Sequence, residues 1–244
     1  DGGDGEDRLD VTLDGAAFTG FTGAGMSNVE TVNLALAEEG PARDFTATGI
    51  TDVDQYNIDA SNGPINLKGL AELGADVALA DQAEGSFALT YATGVTKGTD
   101  DSQTLSFAGV GSSKGDVTAT VNGIETIEVS AVGEAMSYVT LNADALTTLN
   151  VTGDGALALT PGAAAVETVD GAAATGDLEL DLTQVTKAIT DPIELGAGDD
   201  TLTIDGTVGP EASIAGGDGE DTLALTNVAT TVLYTTDSVE NVAV

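Results

Sequence analysis

The chain has 244 residues and carries 41 acidic side chains against 6 basic ones, with no histidine and no cysteine, for a formal charge of −35 at pH 7. Such a charge repels nucleic-acid phosphates and anionic lipid and makes cations the natural partners. The missing residue types exclude disulfides, zinc–thiolate centres, thiol nucleophiles and histidine-based triads.

Hydrophobic residues still make up 41% of the chain, with aromatics only 4%. A folded but thin core of small branched side chains is therefore expected, not disorder. No apolar run approaches the roughly 18 residues of a membrane span, so no membrane insertion is expected.

The chain opens on a glycine-rich loop, Gly2-Gly3-Asp4-Gly5-Glu6-Asp7-Arg8-Leu9-Asp10. Its GGxGxDxLx form is that of a calcium-binding β-solenoid nonapeptide. Glycines let the backbone curl so that carbonyls converge, the aspartate adds a charged oxygen, and the leucine starts a short strand beneath the loop. Asn28 to Leu34 then alternates apolar and polar residues with period two, as a half-buried strand does. From Ala35 to Leu73 the period is lost and Pro41 and Pro64 appear. Residues 35–75 therefore read as an irregular insertion, with a short helix over 67–73 in which Leu67, Leu70, Ala71 and Leu73 share a face.

Short strands bounded by Gly, Asp or Asn follow at Asp76–Ala80, Phe87–Tyr91, Thr104–Phe107, Val117–Val121, Gly123–Val129, Val139–Leu141, Leu149–Val151, Ala156–Leu159, Val166–Asp170 and Leu178–Leu182. Two more glycine loops come next, Leu195-Gly196-Ala197-Gly198-Asp199-Asp200-Thr201-Leu202-Thr203 and Gly216-Gly217-Asp218-Gly219-Glu220-Asp221-Thr222-Leu223-Ala224, before a last strand in Ser238–Val244. The strand openings Asn28-Val29-Glu30, Gly123-Ile124-Glu125 and Ser238-Val239-Glu240 are alike. Each glutamate follows a loop aspartate at a similar offset: 30 − 7 = 23, 125 − 101 = 24 and 240 − 221 = 19.

About twenty short strands suit either a β-sandwich pair or a parallel β-solenoid. Glycine loops recurring one strand-turn apart favour the solenoid, all-β and elongated over residues 1–244, in which stacked coils align like turns. The chain begins and stops within repeats, which suggests part of a longer protein whose ends self-associate.

Two nonapeptides make a coil of about 18 residues, and stacked coils sit roughly 4.8 Å apart. Asp200 and Asp221 are 221 − 200 = 21 residues apart, one such coil plus three residues that the turn Val208-Gly209-Pro210 absorbs. This predicts one calcium ion between the two loops, held by both carboxylates and by carbonyls near Gly196, Gly198, Gly217 and Gly219. Asp199 and Asp218 occupy variable positions and lend charge. Asp7 is expected to hold half a site that a preceding repeat completes. The alternative is that glycine and aspartate merely make tight turns, which is the reading for Asp100, Asp101 and Asp116. Glu30, Glu125, Glu167 and Glu240 should face solvent or a neighbouring strand.

Carboxylate pairs can hydrolyse glycosides. The six basic residues are scattered, however, and four Tyr, five Phe and no Trp offer few sugar-stacking platforms, so an enzyme is not expected.

The three glycine loops resemble the RTX repeats of proteins that Gram-negative bacteria export by type I secretion. Their coupling to NVETVNL, GIETIEV and VENVAV, with LNADALTTLNVTG between, is similar more narrowly to crystalline surface-layer (S-layer) proteins of the Caulobacter type. That resemblance implies a calcium-dependent parallel β-solenoid, secreted and assembled into a two-dimensional lattice on the bacterial cell surface, with Asp200, Asp221 and their loop carbonyls as metal ligands. Cell-surface polysaccharide would be contacted by regions outside this chain. Each motif here is isolated, whereas RTX arrays run several together, so fewer calcium ions are implied. A calcium-binding module of a secreted RTX adhesin or exoenzyme is the other function the resemblance admits.

Overall fold

The computed structural model describes residues 2–15, 17–20, 25–162, 164–206, 208–209, 212–227 and 234–244. Among them are 21 strands and no helix. The first seven are β1 (Arg8–Leu13), β2 (Thr31–Leu36), β3 (Arg43–Thr46), β4 (Gln55–Asp59), β5 (Ile65–Leu70), β6 (Asp76–Ala80) and β7 (Gly85–Tyr91). The middle of the chain gives β8 (Ser102–Ala108), β9 (Val117–Val121), β10 (Thr126–Ala131), β11 (Ser137–Asn142), β12 (Thr148–Gly153), β13 (Leu157–Pro161) and β14 (Thr168–Ala174). The rest are β15 (Leu178–Asp181), β16 (Ile193–Glu194), β17 (Thr201–Ile204), β18 (Ser213–Ala215), β19 (Thr222–Leu225), β20 (Thr235–Asp237) and β21 (Asn241–Ala243).

Beyond β2 the chain alternates between two sheets. One runs β1-β2-β4-β6-β8-β10-β12-β14-β16-β18-β20, and the other collects the odd strands from β3 to β21. Neighbouring strands pair in parallel throughout, as in β10 on β12 or β17 on β19. This is a parallel β-solenoid of about ten turns.

Coil length departs from the 18 residues expected. Register partners lie between 241 − 222 = 19 residues apart at Thr222 and Asn241 and 117 − 85 = 32 apart at Gly85 and Val117. The 21-residue step from Thr201 to Thr222 is thus an ordinary coil here, with no insertion to absorb. Val208 and Gly209 belong to the stack, bridging Ile189, and the Gly209 N–H donates to the Ile189 carbonyl (2.8 Å). Pro210 lies outside the described residues.

Parallel strands need both faces satisfied. Here alternation points every second side chain between the sheets, where identical positions stack into columns. One is Val117–Val139–Leu159–Leu180–Leu202–Leu223, buried along its whole length. Each fully buried Leu or Val contributes about 1.5–3 kcal/mol, so small aliphatics repeated over many coils hold a thin core together. The outward positions form polar ladders instead. Asn57 Nδ2 donates to Asn33 Oδ1 (2.9 Å), and Asn33 Nδ2 donates to Asp10 Oδ1 (2.7 Å).

Residues 35–75 are not an insertion. They carry β3, β4 and β5 in register within the two sheets. The short helix expected over 67–73 is the end of β5 followed by a bend. A register shift between Leu67 and Leu70 points both leucines inward although they are three residues apart. A β-bulge thereby mimics helical spacing.

Candidate metal centre

The loops at Gly196–Asp200 and Gly216–Asp221 lie one coil apart at the corner leading into β17 and β19. Gly217 and Gly219 have φ of +105° and +138°, and a Cβ on either would overlap the carbonyl oxygen of Gly196 or Gly198 beneath it. Glycine is required here because backbone stacks directly on backbone. The contact is sealed by the Gly198 N–H donating to the Asp218 carbonyl (2.9 Å) and the Asp218 N–H to the Gly196 carbonyl (3.0 Å).

Behind these glycines Asp200 and Asp221 stack one coil apart. Leu178, Asp200, Asp221 and Glu240 occupy successive rungs of one column. The Leu178 N–H donates to Asp200 Oδ1 (2.7 Å), the Asp200 N–H to Asp221 Oδ1 (2.9 Å), and the Asp221 N–H to Glu240 Oε2 (2.8 Å). Each carboxylate is thus held by the backbone of the coil before it. Asp200 and Asp221 are only 1% exposed, and the second oxygen of each, Oδ2, is buried without a hydrogen-bond partner.

A buried anion with half its acceptor capacity unanswered is costly. Burial pushes the Asp200 carboxyl up to about 7, against the lowering effect of the Leu178 N–H, and the charges of Asp221, Asp177 and Asp199 push the same way. Asp221 is raised too, first by burial and then by Glu240 and Asp199, although the Asp200 N–H bond opposes the shift.

Asp199 stands in a separate, exposed column. Its N–H donates to Asp177 Oδ1 (3.0 Å), and its own Oδ1 accepts the Glu220 N–H (3.0 Å). The Asp218 side chain is exposed, and its backbone makes the bridge to Ala197.

Asp7 repeats the Asp221 arrangement on the other sheet, packing on the following coil. The Asp7 N–H donates to Glu30 Oε2 (2.7 Å), and the Thr31 N–H returns to the Asp7 carbonyl (3.1 Å). At the other copy the Asn241 N–H returns to the Asp221 carbonyl (2.9 Å). Gly2 and Gly216 donate to the Ser27 and Asp237 carbonyls, both at 3.0 Å. A Cβ on Gly2 would overlap the Asn28 carbonyl oxygen, and one on Gly216 would overlap that of Ser238. Asn28 and Ser238 are themselves left-handed, with φ of 53° and 50°. Asp7 Oδ2 is again buried without a partner.

The complement of the glycine loops at Asp7 and Asp221 is therefore a left-handed residue, an apolar residue and a glutamate one coil on. Period-two alternation by itself places Glu30, Glu125 and Glu240 within strands. In the structure β2, β10 and β21 begin after those glutamates, which sit on the corner and accept backbone N–H bonds from Asp7, Asp101 and Asp221. Glu167 instead pairs with Lys187. The signal available was the near-constant aspartate-to-glutamate offset.

Among the described residues no three acidic side chains converge as metal ligands. A cation at these corners would draw on one or two carboxylates, chiefly the orphaned Oδ2 atoms, with loop carbonyls supplying the rest, a donor set of hard oxygens suited to calcium. Comparison with protein-family models, curated proteins and solved structures gives no match to this chain.

Proposed function

We propose that the chain is a calcium-stabilised β-solenoid of a secreted structural protein, of the surface-layer kind that assembles into a sheet on a bacterial cell. The observation that carries the calcium part is the orphaned, buried Oδ2 at Asp7, Asp200 and Asp221, one in each of the three glycine loops and each on the motif aspartate. A water could answer one such atom. The same orphan in every copy, beside close-stacked glycine loops, fits a charged partner better.

Calcium bound there would supply the positive charge that lets these carboxylates stay ionised. The chain's own residues do the rest. Backbone N–H groups of Leu178 and Asp200 fix one oxygen of Asp200 and Asp221 respectively, and the other oxygen of each is left buried. Gly217 and Gly219 let adjacent loops close to backbone contact. A net charge of −35 opposes compaction at low calcium, so folding would be favoured where calcium is plentiful, outside the cell.

The lattice part rests on the sequence resemblance. Negative-stain electron microscopy of the purified chain with 5 mM calcium (roughly tenfold above the affinity of extracellular modules) or with EDTA tests it. Ordered sheets with calcium only support the reading. A calcium-dependent monomer would assign the chain to an adhesin or exoenzyme module, and indifference to calcium would remove the metal as well.

A further inference from the structure

The glycine loops at Asp7 and Asp221 have a third counterpart in the middle of the solenoid. The Asp101 N–H donates to Glu125 Oε2 (2.9 Å), and the Thr126 N–H returns to the Asp101 carbonyl (3.0 Å), as at Asp7 and Glu30. Gly123, left-handed with φ of 76°, stands where Asn28 and Ser238 stand. The difference lies in the loop itself. The sequence Lys97-Gly98-Thr99-Asp100-Asp101 lacks the glycine pattern, and the chain folds back so that the Gly98 N–H donates to Asp101 Oδ2 (3.1 Å). The atom that is orphaned at Asp7, Asp200 and Asp221 is here answered by a backbone donor.

We infer that the Asp101–Glu125 corner is a metal-free version of the clamp, its N–H latch replacing the cation, and that the solenoid therefore has a calcium-independent middle flanked by calcium-dependent coils. The inference rests on the calcium reading of Asp7, Asp200 and Asp221.

Neighbouring acids in the middle are answered as well. Asp144 Oδ1 accepts the Gly123 N–H (2.8 Å), and Asp116 Oδ2 accepts the Thr140 hydroxyl (2.9 Å). Further along the Asp101–Glu125 column the next rung is neutral Thr147, whose N–H and hydroxyl donate to the Glu125 carbonyl. Gln82 Oε1 is the remaining orphaned buried side-chain oxygen among the described residues, and it is an uncharged amide. The middle is also well filled, with Phe87, Leu89, Leu105, Phe107, Val117 and Ile124 all at most 1% exposed. In a solenoid each coil touches only its neighbours, so stability is a sum of local terms and flanking coils can open while the middle stays closed.

Hydrogen exchange followed by mass spectrometry on the full chain, in EDTA and in saturating calcium, tests this. Amides of β8 to β13 should exchange equally slowly in both. Those of β1, β2, β17 and β19 should slow by about 100-fold when calcium reaches a hundred times its dissociation constant. An Asp101→Ala variant should speed exchange in β8 and β10 to the same degree with and without calcium. If the whole chain loses protection in EDTA, the metal-free middle is wrong while the calcium reading stands. If no segment responds to calcium, the calcium reading itself fails. If Asp101→Ala becomes calcium-responsive in β8 and β10, the latch does not replace the cation.

Discussion

The backbone N–H of Asp200 donates to Oδ1 of Asp221 one coil further on (2.9 Å), and Oδ2 of that same carboxylate is buried with no partner. One oxygen needs a donor and has it in the stacked coil, and the other needs one and has none. The two demands separate on mutation, because an amide can meet the first and has no use for a cation in the second.

Asp221→Asn should therefore behave oppositely in the two conditions. In EDTA the variant keeps an acceptor for the Asp200 N–H and loses a buried like charge, so it should melt at or above the wild type. With calcium at ten times its dissociation constant the wild type should gain about 1.4 kcal/mol per site, which is roughly 3–6 °C for a chain of this size, and the variant should forgo most of that. Thermal melts in EDTA and over a calcium titration measure both. Equal calcium shifts in variant and wild type would remove Asp221 from the site.

The raised carboxyl of Asp200 makes the metal-free chain sensitive to pH. Its folded value, about 7, lies above the ordinary unfolded value near 4. The folded state therefore holds the proton more tightly, and the stability it gains is full below pH 4 and is lost as pH rises through 7. Denaturant midpoints in EDTA should fall between pH 4 and pH 7. General repulsion from the net charge acts in the same direction, so the comparison is with Asp200→Asn, whose midpoint should fall less steeply over that window. Parallel curves would show that Asp200 does not titrate as its burial requires.

The strands were legible because period two survives wherever the backbone is extended: Asp76–Ala80 and Val117–Val121 match β6 and β9 to the residue. Corners were less so. Glu30, Glu125 and Glu240 lie where the chain is turning, and alternation does not govern a side chain there. Their bonds run to another coil, which local pattern does not show. The coils between Ala35 and Leu73 were hidden because their corners turn without the glycine motif, using Asp52 at φ 62° and an Asn62 whose Nδ2 donates to the Leu36 carbonyl (3.0 Å). Leu67 and Leu70 were misread because a bulge gives strand residues a helical spacing. The pairing of Asp200 with Asp221 could be read because the motif repeats at nearly one coil, although the coil length itself could not.

Gly217→Ala should be destabilising whether or not calcium is present. A side chain at φ of +105° costs about 1–3 kcal/mol in backbone strain, and its Cβ would overlap the Gly196 carbonyl oxygen, so the two loops must part. Melts should fall in EDTA, and the calcium increment should shrink as well because the two loops that would flank the ion are pushed apart. A variant that melts like the wild type in EDTA would show that the loops are not in backbone contact in the metal-free chain.

Leu180→Ala separates the hydrophobic column from the corner chemistry. Leu180 is 1% exposed and sits between Leu159 and Leu202 in the column from Val117 to Leu223. Truncating it leaves a cavity that rigid neighbouring coils cannot fill, at a cost of about 2–5 kcal/mol. Because the loss is in packing, the melting point should drop by the same amount in EDTA and in calcium, while the calcium increment in the variant stays at the wild-type value. Thr203→Ala, an outward position of the next coil, should change stability by no more than about 0.5 kcal/mol. Should Leu180→Ala cost as little as Thr203→Ala, the side chain would not face the core and the register of β15 on β17 would be wrong by one residue, since a one-residue slip exchanges the two faces of a strand.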